Sequence, residues 1–240
     1  MRIKLFFNLE KPELDIQYRK SLVSFIKHAL EEYDENLYKE LYKKGENKMK
    51  SFTFAPLLPE PKFRNEMIDL SQNYFQVVFS FYNYAHALHF YNSFVKQKNK
   101  KFSLYQNSIT LNKILILPEK EITSNVIYIK MESPLIVRNH DRETLKDMYY
   151  SFEKKEEFEK YLKINIKEQM KNENLDESLL DEFKIEAVQP KKAIVKVYEY
   201  KIESSLGTFK LTGNKKLLKY LYQSGLGTKK GLGFGLFEII

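Results

Sequence analysis

The chain has 240 residues, 43% of them hydrophobic and 30% charged, with a formal net charge of +8. That balance allows a packed core and argues against disorder. The absence of cysteine excludes a disulfide framework and thiolate metal sites. No apolar run approaches the roughly 20 residues that span a bilayer, and Met1–Asn8 is too short for a signal-peptide core. A cytoplasmic protein without a membrane partner is expected.

Only five of the 40 basic residues are arginine (Arg2, Arg19, Arg64, Arg138, Arg142). The charge is uneven: residues 141–186 hold 9 basic and 14 acidic side chains, residues 187–240 hold 10 and 3. A basic body with one acidic segment points to a polyanion partner such as nucleic acid, although a lysine-heavy codon usage would give the same excess.

Taken in chain order, residues 1–8 alternate as a strand. Leu22, Phe25, Ile26, Ala29, Leu30 and Tyr33 then mark one face of a helix over about 17–33. His28 falls on the polar flank of that helix, near Ser21, Ser24 and Lys27. Asp34 or Asn36 can cap a short helix through Leu37, Leu41 and Tyr42, stopped by Gly45. A basic loop, Lys43–Lys50, leads into a strand over Ser51–Leu57, where Phe52 and Phe54 alternate with Ser51 and Thr53. A strand at 74–81, a helix capped by Asn83 and a strand at 108–117 follow. The order β, α, β, β, α, β is that of a ferredoxin-like unit.

After a linker at Pro118–Glu121 the plan repeats. A strand at 126–131 precedes a helix over 151–172, with Phe158, Leu162, Ile166 and Met170 four apart. Strands follow at 183–188, 193–198 and 207–211, then a helix at 214–223 and a last strand. The expected fold is α+β, with two tandem ferredoxin-like domains over 1–118 and 122–240.

Five of the eight glycines lie in Gly225–Gly235. Helix precedes and strand follows this run, the reverse of a dinucleotide fingerprint. Exposed amides beside Lys229 and Lys230 make it a candidate phosphate seat; a plain connection into the last strand would also use glycine.

Three segments together resemble the RAMP superfamily of CRISPR-associated RNA-binding proteins, above all its repeat-processing endoribonuclease, the sixth numbered family. They are Gly225–Gly235 with its Gly233-Phe234-Gly235, the Ser51–Leu57 strand, and Ser133-Pro134-Leu135-Ile136-Val137. The resemblance covers nearly the whole chain. It implies a basic cleft between two ferredoxin-like domains and metal-independent cutting of precursor CRISPR RNA by the ribose 2′-OH. The ends would be a 5′-OH and a 2′,3′-cyclic phosphate. Such chemistry needs a base, an acid and a cation near the phosphorane, and RNA rather than DNA.

The family's histidine after the second helix is matched here by Tyr42, and its lysine before the Phe-Thr-Phe strand by Lys50. The resemblance therefore suggests a displaced set. His28 would act as general acid or base, Lys50 would place charge on the transition state, and Tyr42 would position phosphate or assist with protons. RNA contacts are expected from Gly225, Gly227, Lys229, Lys230, Gly231 and Gly233, extended by Lys191 and Lys192 and by Lys215, Lys216 and Lys219. No cofactor and no metal is expected; His86 and His89, three apart on one helix, lack a carboxylate to complete a metal set. His140, beside Arg138, Asp141 and Arg142, reads first as part of a solvated loop, with contact to RNA as the alternative. A non-catalytic RNA-binding subunit of a CRISPR effector complex and a general single-stranded RNA binder are the competing readings. A homodimer is left open.

Overall fold

The computed structural model describes residues 1–42, 50–141, 143–197 and 200–240. Most of the basic loop with Gly45, together with Arg142 and Tyr198, lies outside the described residues.

In the first half the apolar alternation of the opening residues makes β1 (Arg2–Leu9), followed by β2 (Glu13–Asp15), α1 (Tyr18–Tyr33) and α2 (Glu35–Tyr42). Of the two cap candidates Asp34 is the one used: its Oδ1 accepts from the Asn36 and Leu37 amides at 2.9 and 3.0 Å. Then come β3 (Phe52–Leu57), β4 (Lys62–Phe63), β5 (Met67–Asp69), β6 (Tyr74–Phe81) and α3 (Tyr84–Gln97). Asn83 caps α3 through the His86 amide at 3.1 Å. A hairpin of β7 (Lys101–Leu104) and β8 (Asn107–Leu117) closes the half.

The main sheet runs β3-β6-β1-β8-β7, all antiparallel. Without the added edge strand β7, this is the ferredoxin order, with the last strand beside the first and the first beside the third. β2, β5 and β4 form a small satellite sheet that the sequence reading did not anticipate. The helices α1 and α3 cover one face, and their phenylalanines interlock with those of the strands. Phe25, Phe79, Phe90 and Phe94 are all buried there, with ring centroids 5–6.4 Å apart where they meet. Such a core gains both from area removed from water and from edge and offset ring contacts.

The second half repeats the topology with different residues. It comprises β9 (Val126–Met131), the hairpin β10 (Val137–His140) and β11 (Asp147–Tyr150), α4 (Lys155–Asn172), β12 (Lys184–Val197), β13 (Tyr200–Thr212), α5 (Lys215–Ser224) and β14 (Phe237–Ile239). Its sheet order β12-β13-β9-β14 is again ferredoxin-like. The two strands read at 183–188 and 193–198 are one long strand with a bulge between Ala187 and Gln189. It passes through Pro190 because β12 is an edge strand, where a missing amide costs no ladder bond. The apolar stripe predicted for α4 is buried, from Phe158 to Met170.

Arg2 ties the two halves at their ends. Its side chain is buried in β1, yet it donates to Glu238 beside the C-terminus and to the carbonyls of Tyr222 and Phe237 at 3.1 and 2.7 Å. Its guanidinium lies 3.9 Å from the Tyr222 ring centroid. The N-terminal ammonium pairs with Glu119, which also accepts from Gln223 at 2.7 Å, so the segment between the sheets is held at both edges. Removing one partner of such a buried charged set strands the others. Arg2→Met should therefore lower unfolding stability by about 3 kcal/mol, read as a lower urea midpoint with an unchanged slope.

Candidate nucleic-acid interface

The glycine-rich run does not stand open to solvent. Leu226, Thr228, Lys230, Phe234 and Leu236 are all buried. The run lies in the seam between the halves, and the other two family-like segments flank it. On one side Thr53 Oγ1 donates to the Phe234 carbonyl at 2.6 Å, and Arg19 donates to the Gly233 carbonyl. On the other side the Thr228 amide donates to Ile136 O at 2.9 Å, the Gly235 amide to Pro134 O at 3.0 Å and the Leu236 amide to Ser133 Oγ at 2.9 Å.

Two glycines are required for this closeness. A Cβ on Gly235 (φ 81°) would sit 1.9 Å from Leu226 O, and one on Gly227 (φ 75°) 2.4 Å from Ile136 O. Both obstacles are backbone, so no side chain can move aside. The glycines at 225, 227, 233 and 235 thus serve the approach of the chain to itself, a role distinct from the phosphate seat expected of the run. A Cβ would also meet Thr53 at Gly225, the Phe54 ring at Gly233 and the Lys50 side chain at Gly231.

Lys230 is enclosed likewise. It is 3% exposed, and its Nζ donates to Gln169 Oε1 at 3.0 Å. Burial pulls its pKa down to about 7. Lys229 is half-buried beside the Tyr149 ring, 5.6 Å from its centroid. Burial and the charge of Arg138 lower its pKa, with Asp147 opposing. Lys191 is exposed. Lys192 is held by Glu153 and Glu203 at 2.7 and 3.1 Å, which leaves its charge largely answered within the protein.

Beside the loop runs an open groove of about 200 Å³ between the start of α1 and the end of β12. Leu232, Phe234 and Val197 line it together with Arg19, Lys20, Lys27 and Lys196. Every charged residue in this lining, among the described residues, is basic. The Arg19 guanidinium lies 4.5 Å from the Phe234 ring centroid and so is fixed at the groove rather than swinging free. Sequence reasoning missed Arg19, Lys20 and Lys196 because they belong to two distant segments that only the fold joins.

Of the three residues expected to cut RNA, Tyr42 and Lys50 meet, while His28 faces other partners. Lys50 and Lys27 flank the Tyr42 ring at 4.7 and 5.1 Å, and the Lys50 ammonium donates to Leu41 O. The Tyr42 hydroxyl is buried without a hydrogen-bond partner among the described residues, and burial pushes its pKa up. The hydroxyl expected to position phosphate is thus enclosed. His28 is exposed, but it meets the Phe102 ring at 5.5 Å and Glu32 at 3.5 Å, on the side of β7. His86 instead lines a pocket with Lys50, Ser51, Glu40 and Glu173, where burial lowers its pKa.

Two ferredoxin-like halves clasping a glycine-rich loop define a RAMP-type protein. Residues 117–239 match the family profile described as CRISPR associated protein Cas6, C-terminal, which is half of the chain, and the chain belongs to that family. A CRISPR-associated endoribonuclease-like protein Cas6 of Pyrococcus furiosus is 28% identical over 149 residues, covering 60% of each chain. A protein named Cas6nc of Pyrococcus horikoshii is 26% identical over 147 residues, again 60% of each. The matched region thus spans about 60% of the length of these curated relatives. Among solved structures, a Cas6-related protein of Pyrococcus furiosus shares the fold at TM-score 0.87 and 23% identity, over 100% of this chain and 98% of the other. A RAMP protein described as binding different RNA substrates shares it at 0.84 and 22%, over 100% and 99%.

The seam yields two predictions. Gly235→Ala should destabilise the protein by about 3 kcal/mol or prevent folding, seen as a lower thermal midpoint. Lys230 titrates near 7 when folded and near 10.5 when unfolded, so between those values the unfolded chain binds more protons. Its contribution to stability therefore rises with pH from about 7 upward. Lys230→Met should be more stable than the parent at pH 6, with the gap closing towards pH 10 in denaturant titrations.

Proposed function

We propose that the protein binds single-stranded CRISPR repeat RNA across the seam between its halves and cuts it by attack of a ribose 2′-OH on the adjacent phosphate, without metal. The basic groove of Arg19, Lys20, Lys27 and Lys196 carries this reading. It is a run of cations from both halves, in a lining free of carboxylates among the described residues, and it suits a sugar–phosphate strand. Family membership and the likeness to Cas6 proteins support repeat RNA as the ligand. A RAMP protein of the same fold is described as binding different RNA substrates, which supports RNA as the class of ligand.

The separate surroundings of His28 and the closed Tyr42 hydroxyl favour a second reading, an RNA-binding subunit of a CRISPR effector complex that does not cut. Labelled repeat RNA incubated with the protein in EDTA separates the two. The nuclease reading expects one cut, abolished by a single 2′-deoxy substitution at the scissile nucleotide, because the nucleophile is then missing.

Binding is tested separately. Each lost phosphate contact on single strands makes the plot of log affinity against log salt shallower by about 0.7. Lys27→Ala combined with Lys196→Ala should lower affinity and reduce that slope by about 1.4. An unchanged slope would remove the groove from RNA binding.

A further inference from the structure

The β10–β11 hairpin carries an ordered set of side chains around His140. His140 Nδ1 lies 2.8 Å from Asp147 Oδ1 across the register pair His140–Asp147. The other carboxylate oxygen accepts from the Tyr149 hydroxyl at 2.9 Å and lies 3.4 Å from Arg138 Nη1. Burial alone would raise the Asp147 pKa, but the bonds to His140 and Tyr149 and the charge of Arg138 outweigh it and hold the acid ionised. An ionised carboxylate only accepts, so the Nδ1 facing Asp147 donates, and Nε2 is the ring nitrogen turned away from that bond. His140 remains exposed, with 43% of its side chain accessible.

The set is continuous with the groove. Tyr149 packs against the apolar cluster that holds Val197 and Phe234, two of the residues that line the groove. Lys229 lies over the other side of Tyr149 and adds a second cation to Arg138. Asp141, next in the chain, spends its Oδ1 on the amides of Glu143 and Thr144 at 2.9 and 3.1 Å. A base oriented by a carboxylate, with Arg138 bonded to the same carboxylate and Lys229 over the neighbouring Tyr149 ring, brings together the kinds of group that 2′-OH transesterification requires.

We propose that His140 is the catalytic base of RNA cleavage, aligned by Asp147 as a positioning residue, with Arg138 and Lys229 neutralising the phosphorane. This rests on the nuclease reading given above. In the step, His140 Nε2 takes the 2′-OH proton as O2′ bonds to phosphorus. The P–O5′ bond breaks, the 5′-oxygen leaves with the bonding pair and takes a proton from water, and the imidazolium returns its proton to solvent. One 2′,3′-cyclic phosphate and one 5′-OH result, with no water consumed overall.

Single-turnover cutting of labelled repeat RNA in EDTA tests the assignment. His140→Ala should slow cutting at least 100-fold, the smaller end of what general-base catalysis supplies, while RNA affinity by filter binding stays within about threefold. Asp147→Asn should slow cutting and move the acid limb of the rate–pH profile to lower pH, since the imidazole loses its carboxylate partner. A merely structural aspartate would lower the rate without moving that limb. Added imidazole should partly restore His140→Gly. Parental cutting by a folded His140→Ala protein would overturn this assignment alone. A parent protein that binds the RNA and leaves it uncut would overturn the nuclease reading and this inference with it.

Discussion

The structure depends on a backbone packed against backbone. Between Gly225 and Gly235 the chain threads the seam so closely that Cβ atoms at Gly227 and Gly235 would overlap carbonyl oxygens of the same chain. Only that absence of side chains lets Thr53, Ile136 and Pro134 bond to the loop at normal distances. Three segments far apart in sequence, around Thr53, Ser133 and Gly225, are therefore parts of one joint. Arg2 fastens the far end of it, where the first strand meets the last.

The joint also decides which cations can meet an anion. Lys230 is spent inside it, bonded to Gln169 and driven towards neutrality by burial. Such desolvation makes a buried ammonium a cost to the fold rather than a binding tool. The groove cations sit on the rim instead, and Arg19 serves both purposes. It donates to Gly233 O from within the joint and stacks on Phe234 at the groove wall. A fixed guanidinium gives up less freedom when it meets phosphate than a loose lysine does. The binding surface is in this sense a by-product of how the halves are locked.

Much of the architecture was legible. Strand and helix periods gave both ferredoxin-like units, because alternation at Phe52–Leu57 and the four-residue stripe of α4 report burial directly. The caps at Asp34 and Asn83 were readable from local chemistry. The glycines were legible as special but not as to what they approach, since a ligand and the chain's own backbone ask for the same missing Cβ. The single long β12 was read as two strands, because its bulge at Ala187–Gln189 interrupts the alternation. The groove depends on Arg19 and Lys196 meeting across the fold, and the His140–Asp147 pair on a hairpin register seven residues wide. Neither is a pattern along the chain. Lys192 illustrates the converse, a promising cation already answered by Glu153 and by Glu203 on the neighbouring strand.

The central claim is that the glycine loop is a sealed joint and that RNA meets the rim beside it. Amide hydrogen exchange of residues 225–236, with and without repeat RNA, tests this most directly. The account predicts loop amides already protected in the free protein and little changed by RNA, with new protection at the start of α1 and the end of β12. Fast-exchanging loop amides that become protected only when RNA binds would contradict it.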